Sequence, residues 1–311
     1  MKKKTFIITI DTEGDNLWDR ATTKKGLREI STENARYIER FQTLCRKYNF
    51  YPTYLVDYEM IMDDDFVSQL KWWSDNEECE VGMHMHAWNT PPIDKLPFYS
   101  FGHNPYAGEY SKEVLSEKMK LLTELISEKI GIEPKSHRGG RWYIDDWYIE
   151  ELKKLGYEVD CSITPGVSWK KTRGNKIYGP DYSNYSMKSF RMNNGIMQVP
   201  PTIIAPSLMK RIRLVKEKPY EYEEIMNSRI WLRPNGNNLE DMLYIVKNQK
   251  NSSNDYLEFM IHSSELMPGG SPTFKNEEEI KKLYNDLEVL FESIKEHYYG
   301  ITLYHYAKKT R

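Results

Sequence analysis

Short apolar runs alternate along the chain with longer segments in which apolar residues recur every three to four positions. The runs predict buried strands, and the longer segments predict amphipathic helices. Strands are expected at residues 4–11, 51–56, 80–86, 134–138, 157–163, 196–204, 230–233, 257–262 and 301–306. Helices are expected at residues 32–48, 65–75, 112–130, 145–156, 207–216, 238–248 and 276–297. Ser31, Ser111 and Asp145 are suited to cap the first, third and fourth of these helices.

This alternation predicts an α/β fold with a parallel sheet and right-handed crossovers, closed or nearly closed into a barrel. In such a barrel the chemistry lies at the carboxyl ends of the strands. The polar residues of this chain are concentrated at the predicted strand ends. They are Asp11, Glu13, His84, His86, Arg138, Asp160 and His262.

Two histidines, His84 and His86, close the strand expected at 80–86. Side chains two positions apart on a strand point to the same face, with Cα atoms roughly 6.5–7 Å apart. Two imidazoles at this spacing can bind one metal ion at about 2.1 Å each. A single histidine at a strand end usually only makes a hydrogen bond, but a pair on one face favours a metal site.

Asp11 and Glu13 follow the first predicted strand, and Gly14 permits a tight turn after them. Most acidic strand ends are only solvated or cap a turn. Beside two histidines, however, one carboxylate completes a His₂-carboxylate set that is usual for catalytic zinc. The second carboxylate is then free to act as a base, and Asp15 is a reserve ligand.

Three other strand ends carry polar residues that require partners. Arg138 is followed by two glycines, whose backbone another group can approach closely. Asp160 lies in an apolar strand end, where an unpaired carboxylate would be costly. His262 ends another apolar strand and suits a general acid oriented by a carboxylate. Because strand ends of one barrel share a rim, we predict that Asp160 and His262 form a pair that keeps His262 protonated.

The composition limits the classes of partner. A net charge of −2 over 311 residues argues against nucleic-acid binding and against a polybasic membrane anchor. No apolar run approaches the roughly 18–20 residues of a membrane-spanning helix. The basic start at residues 1–4 is followed by an apolar run too short for a signal peptide, and the three cysteines fit no disulfide framework. We therefore expect a cytoplasmic protein, in which the 13% aromatic residues could also serve a carbohydrate site.

Five motifs of the chain, in order, resemble those of polysaccharide deacetylases of the NodB-homology type, similar to carbohydrate esterase family 4. They are TIDTEG at 9–14, EVGMH at 80–84, RGGRW at 138–142, DCS at 160–162 and IH at 261–262. The family's usual second motif is HxxxH, whereas Trp88 stands four positions after His84, so either His86 takes the place of the second histidine or the site is incomplete. The longer stretches HMHAWNTPP, SHRGGRW, DCSITPG and HSSELMPGGSP resemble a divergent branch associated with surface-polysaccharide synthesis.

The resemblance implies a distorted (β/α)7 barrel that forms a single domain over residues 1–311, with loop-rich insertions near 88–110 and 164–194. It also implies metal-dependent removal of an N-acetyl group from an acetamido sugar or polysaccharide precursor, with Zn²⁺ as the expected divalent metal. The implied metal ligands are Glu13, His84 and His86. The implied catalytic residues are Asp11 as base, Arg138 as its partner, His262 as acid and Asp160 as the partner of His262. Trp88, Trp142, Arg141 and Trp169 are expected to contact the sugar.

Two other hypotheses stay open. The first is an amidohydrolase-type hydrolase of C–N bonds, whose barrels also use HxH, although normally on the first strand. The second is a carbohydrate-binding protein on a catalytically decayed deacetylase fold, for which the missing HxxxH is the best support. The metal content of the purified protein would discriminate among the three.

Overall fold

The centre of the fold is a curled sheet built around β1 (Lys4–Thr12), in which every residue from Thr5 onwards is buried. The computed structural model describes residues 3–15, 17, 30–93 and 104–310. The other strands are β2 (Thr53–Val56), β3 (Glu80–Met85), β4 (Ser136–Gly139), β5 (Val159–Asp160), β6 (Phe190–Arg191), β7 (Met197–Gln198), β8 (Ile203–Ile204), β9 (Ile230–Trp231), β10 (Tyr256–His262) and β11 (Tyr298–Gly300).

The strand order of the main sheet is β10-β1-β2-β3-β4-β5-β7-β6, and β11 pairs with the beginning of β1. All of these strands run parallel except β6, which is antiparallel to β7. The antiparallel pair β8–β9 is joined to the β10 side by backbone hydrogen bonds, from Thr202 to Glu258 and from Met260 to Leu232. The result is a curled, mainly parallel half-barrel.

Ten α-helices have their bounds within the described ranges of the chain. They are α1 (Ala35–Tyr48), α2 (Tyr58–Met62), α3 (Asp64–Asp75), α4 (Lys112–Ile130), α5 (Asp146–Lys154), α6 (Leu208–Glu217), α7 (Tyr222–Asn227), α8 (Leu239–Gln249), α9 (Glu277–Lys295) and α10 (Leu303–Lys309). The expected caps of α4 and α5 are present, since Ser111 accepts from Val114 N and Asp145 from Tyr148 N. None of the described helices is long and apolar enough to cross a membrane.

Side chains of β1 alternate between the two faces of the sheet, so they pack in two separate parts of the core. On one of these faces, polar residues of β1 lie at the site. Phe6, Ile8 and Ile10 pack in the larger cluster beneath the helices, whereas Ile7 packs in a smaller cluster that includes residues of α10. Because side chains alternate on a strand, Thr9 and Asp11 share the face of Ile7. The inner face of β1 therefore changes from apolar to polar towards its carboxyl end.

Several predicted boundaries are wrong. The helix expected from residue 32 begins at Ala35, because the Ser31 hydroxyl donates to Asp15 instead of capping the helix. The strand expected at 301–306 is wrong, since β11 precedes it and Thr302 caps α10 by accepting from His305 N. The strand expected at 196–204 is split into β7 and β8, because two prolines between them supply no N–H donor.

The organisation into one domain over 1–311 stays a prediction. Of the two expected insertions, the one near 88–110 includes residues 94–103, which lie outside the described part of the chain. In the segment 164–189 the structure is irregular and contains two isolated bridges, Ser168 with Asp181 and Arg173 with Tyr178.

Candidate active site

The register of the parallel strands brings the predicted site residues to one end of the sheet. Asp11 of β1 lies opposite His262 of β10, and His84 of β3 lies opposite Arg138 of β4. All four residues lie at or near the carboxyl ends of their strands, where parallel barrels place their chemistry. The strand ends therefore meet as the alternating pattern predicts.

Three buried side chains converge at this end: Glu13, His84 and His86. Glu13 Oε2 lies 3.4 Å from His84 Nε2 and 3.5 Å from His86 Nε2, and one potential ligand atom of each residue lies within 4.8 Å of the others. These separations exceed the roughly 2.7–2.9 Å of a charge-assisted hydrogen bond. Two ligands of a tetrahedral zinc ion, each bound at about 2.1 Å, lie about 3.4 Å apart. The spacing thus fits a shared metal ion, and the binding of a metal by these residues stays a prediction.

Neighbouring groups orient both imidazoles for this role. His84 Nδ1 lies 3.0 Å from the carbonyl oxygen of Arg138, which can only accept, so Nδ1 carries a proton and Nε2 faces Glu13. His86 Nδ1 is buried without a hydrogen-bond partner among the described residues, and its ring stacks on Trp88 at 5.3 Å between centroids. A Cβ atom at Gly140 would collide with the His86 ring, which explains a glycine at this position.

Burial and the charged groups of the site shift the pKa values of His84 and His86 in opposite directions. Burial lowers the pKa of His84, but the carboxylates of Asp11 and Glu13 outweigh burial and raise it to about 9. For His86, burial and the charge of His84 together lower the pKa to about 3. Burial opposes ionisation of Glu13, yet His262 and His84 hold its pKa below the usual value. At neutral pH His84 is therefore protonated on both ring nitrogens, whereas His86 is a neutral imidazole and Glu13 is a carboxylate.

We expect metal binding at pH 7 to release about one proton per ion. A ligating imidazole must give up its proton on the ligating nitrogen, and only His84 still holds that proton at this pH. Affinity should accordingly rise with pH by about tenfold per unit up to about pH 9, and then level off. The number of protons released per ion is measured by isothermal titration calorimetry of the metal-stripped chain in buffers of different ionisation enthalpy. A release of none or two would contradict the assignment.

Asp11 is held by a buried arginine. Arg138 Nη1 donates to Asp11 Oδ1 at 2.6 Å, while Nη2 donates to Glu258 at 2.8 Å and to the Thr9 hydroxyl at 2.7 Å. Burial raises the pKa of Asp11, but the positive charges of Arg138 and His84 outweigh burial and hold it well below the usual value. Asp11 is therefore ionised at neutral pH, as a proton acceptor must be. Arg138 lies behind Asp11, and its role in catalysis stays a prediction.

The other oxygen of Asp11 faces His262. His262 Nε2 lies 3.6 Å from Asp11 Oδ2 and 4.0 Å from Glu13 Oε1. On its other side, His262 Nδ1 lies 3.2 Å from Glu265 Oε2 and 2.9 Å from Arg233 Nη2. Nε2 thus points towards the candidate metal site, and Glu265 and Arg233 hold the ring from behind.

The predicted pair of Asp160 and His262 is wrong. Asp160 Oδ1 lies 2.6 Å from His137 Nδ1, and Asp160 also accepts from the hydroxyl and backbone N–H of Ser162. The far side of His137 lies 3.0 Å from the Tyr148 hydroxyl, inside the core. Asp160 has the partner that a buried carboxylate requires, but that partner is on the neighbouring strand β4. The carboxylate that faces His262 Nδ1 is that of Glu265.

Glu265→Gln is expected to reduce turnover by about 10-fold or more, because the amide cannot serve both His262 and Arg233 as the carboxylate does. Burial raises the pKa of Glu265, but Arg233 and His262 lower it to about 2, so the native side chain is a carboxylate at neutral pH. Asp160→Asn is the matched control and should lower stability through His137 while changing turnover much less. Steady-state kinetics of both variants measure this, and a larger loss of turnover in Asp160→Asn would contradict it.

A cavity of about 310 Å³ opens over these groups. Its walls include all four residues expected to contact the sugar, which are Trp88, Arg141, Trp142 and Trp169. Arg141 and Trp142 adopt left-handed backbone conformations, with φ of 53° and 63°, which non-glycine residues adopt rarely. Such conformations occur often at functional sites, where the surrounding structure holds them.

Besides Glu258 and Glu265, sequence reasoning missed three further residues at the site. Asp57, directly after β2, accepts from Gly14 N at 3.0 Å and so holds the turn that carries Glu13. Burial raises its pKa to about 7, although hydrogen bonds from Met60 N and Gly14 N oppose this. Arg233 and Tyr106 line the cavity. The position of Asp57 at a strand end was a usable signal, whereas nothing local marked Arg233 or Tyr106.

Asp15, the reserve ligand, turns away to Asn34 and Ser31.

Solved structures share this fold, although no protein-family model and no curated protein matches the sequence. A Mycobacterium smegmatis protein described as a polysaccharide deacetylase aligns with a TM-score of 0.55 and 10% identity, over 99% of this chain and 91% of that chain. The 4-alpha-glucanotransferase of Thermococcus litoralis aligns with a TM-score of 0.52 and 12% identity, over 99% of this chain and 41% of that chain. At these identities the likeness concerns the fold alone. It confirms the expected α/β fold of the polysaccharide deacetylase type, a distorted (β/α)7 barrel.

Proposed function

We propose that this protein is a metal-dependent carbohydrate N-deacetylase, which hydrolyses the amide bond of an acetamido sugar. The convergence of Glu13, His84 and His86 beside Asp11 carries this proposal. The fold alone would not, because a similar fold occurs in a glucanotransferase as well as in a protein described as a deacetylase. A cluster of two imidazoles and one carboxylate, with a second carboxylate next to it, suits hydrolysis assisted by a metal ion.

Different residues of the site carry out different steps of amide hydrolysis. A divalent ion held by Glu13, His84 and His86, with zinc best suited to these donors, would supply a Lewis acid for the amide carbonyl. Asp11 accepts the proton of the attacking water, and Arg138 keeps Asp11 ionised and aimed. His262 Nε2 donates a proton to the leaving nitrogen as the amide C–N bond breaks. Acetate and the free amino sugar are the products.

The cavity supports a sugar as substrate. Indole rings bind the apolar faces of pyranose rings, and Trp88, Trp142 and Trp169 line the cavity together with the candidate catalytic groups. A volume of about 310 Å³ is at the lower end for small-molecule sites and suits one or two sugar rings. The mycobacterial protein of the same fold, described as a polysaccharide deacetylase, supports the same class of substrate. A cytoplasmic location, which stays a prediction, favours a polysaccharide precursor.

The test combines metal analysis with an assay for acetate. The full chain is purified, its metal content per chain is measured, and acetate release is followed from chitooligosaccharides and from nucleotide-linked N-acetylglucosamine. We expect about one zinc ion per chain, loss of acetate release on chelation, and recovery on addition of zinc. His86→Ala should lose the metal, whereas His297→Ala, at a side chain that is 41% exposed, is the control that keeps it.

The same experiment separates the two alternative hypotheses. A chain that binds chitooligosaccharides, does not bind zinc and does not release acetate would be the decayed binding protein. A zinc-containing chain that cleaves cyclic amides and leaves acetamido sugars intact would be an amidohydrolase-type enzyme. Retention of full zinc by His86→Ala would remove the proposed ligand set.

A further inference from the structure

Helix α6 (Leu208–Glu217) is the one α-helix in the described ranges of the chain that has no buried residue. Leu208 is 68% exposed, Met209 83% and Ile212 48%. Residues three and four positions apart lie on the same helix face, so these three side chains form one exposed apolar strip. Scattered apolar side chains are normal on a surface, but a contiguous strip on an otherwise unburied helix indicates an interaction surface.

Positive charge surrounds this strip. Residues 207–218 contain Lys210, Arg211, Arg213, Lys216 and Lys218, and the only acid among them is Glu217. Positive charges in residues 207–218 exceed negative ones by four, within a chain of net charge −2. Three of these cations face carboxylates: Lys210 faces Asp241, Arg213 faces Glu217 and Lys218 faces Glu221. The expectation that the chain carries no polybasic membrane contact rested on that overall balance.

We propose that α6 binds the surface of an anionic phospholipid bilayer and lies in the plane of the interface. A helix with exposed apolar residues on one face and lysine and arginine around them gains both from burial among acyl chains and from anionic headgroups. A nucleic acid would attract the cations but would leave Leu208 and Met209 in water. Tyr220, fully exposed three residues after the end of α6, suits the headgroup region, where aromatic side chains concentrate.

The position of α6 connects this surface with the active site. Lys210 Nζ binds both oxygens of Asp241, at 2.5 and 2.6 Å. Asp241 lines a second cavity of about 480 Å³, whose walls include Trp142 and Arg233 of the active-site cavity. Docking of α6 would therefore bring the approach to the site close to the bilayer. If the proposed function holds, the corresponding substrate is an acetamido sugar carried on a lipid.

Co-sedimentation of the full-length protein with vesicles tests the docking without any assay of activity. The vesicles consist of phosphatidylcholine alone or of phosphatidylcholine with phosphatidylglycerol. We expect binding only to the anionic vesicles, and weaker binding as salt is raised. Arg213→Glu combined with Lys216→Glu should weaken binding by about 25-fold or more, since each cation near such a surface contributes a factor of about five. Leu208→Ser combined with Met209→Ser should weaken it by about tenfold or more.

The matched control replaces an exposed apolar residue and an exposed cation on another helix. Val289→Ser combined with Lys281→Glu changes α9 in the same manner and should leave vesicle binding unchanged. The α6 variants should also keep wild-type acetate release from soluble acetamido sugars, so a failure of the proposed function would be seen separately. Equal binding to neutral vesicles, binding unaffected by both α6 variants, or binding to a nucleic acid but not to vesicles would overturn the proposal.

Discussion

Replacement of Asp11 by asparagine is expected to reduce turnover on acetamido sugars by about 10²–10⁴-fold, the usual contribution of a general base. The amide has nearly the size of the carboxylate, and its oxygen can still accept from Arg138, so the local geometry should persist. It cannot accept a proton from water at neutral pH. Because Glu13 and the two histidines make up the candidate metal site, metal content should stay near that of the wild type.

Acetate release and metal analysis of the same preparation measure both parts of this prediction. Asp15→Asn is the matched control, because Asp15 belongs to the same turn but its carboxylate is bonded to Asn34 and Ser31. It should affect turnover far less than Asp11→Asn does. Loss of metal from Asp11→Asn would instead make Asp11 a ligand, and the roles of the two carboxylates would have to be exchanged.

The parts of the site that follow from local geometry could be predicted from the sequence. His84 and His86 share a face because they are two positions apart on one strand, whatever the rest of the chain does. Asp11 and Glu13 are likewise placed by the end of a single strand. The pairing of Asp11 with Arg138 follows from the family resemblance, and the structure brings the two side chains together. Their roles in binding and catalysis stay predictions.

The partners that depend on strand order could not be predicted. A buried Asp160 requires a partner, but the sequence does not say which neighbouring strand supplies it. The sheet places β5 beside β4 and at the far side of the order from β10, so Asp160 meets His137 and not His262. Glu265, three residues after His262, was a local signal for the correct partner. Arg233 lies two residues after the end of β9, and only the tertiary structure brings it to Glu265.

The short strands were the least predictable elements of the fold. Five consecutive strands, β5 to β9, have two residues each, too few for a periodic pattern to fix their bounds. Their positions depend on backbone hydrogen bonds to neighbours such as Asp160 and Glu258. The long strands β1 and β10 were predictable because each has an extended apolar run.

Arg138→Met is expected to destabilise the protein by about 3–5 kcal/mol, the usual result of removing one partner from a buried ion pair. Arg138 is fully buried and serves the carboxylates of Asp11 and Glu258. Methionine fills much of the volume but leaves both carboxylates in the interior without their cation. The free energy of unfolding, measured by urea denaturation, should show this loss, and turnover should fall because Asp11 is no longer held.

Three further variants separate loss of charge from loss of packing. Arg141→Met, at the neighbouring arginine that packs over Tyr106 in the cavity wall, should change stability by no more than about 1 kcal/mol. Arg138→Lys keeps the charge but lacks the planar fork, so one ammonium group cannot reach Asp11, Glu258 and Thr9 with the same geometry, and its stability should be intermediate. Adding Glu258→Met to Arg138→Met removes one unpaired carboxylate and should recover part of the loss. If Arg138→Met were as stable and as active as the wild type, the buried network would not be what positions Asp11.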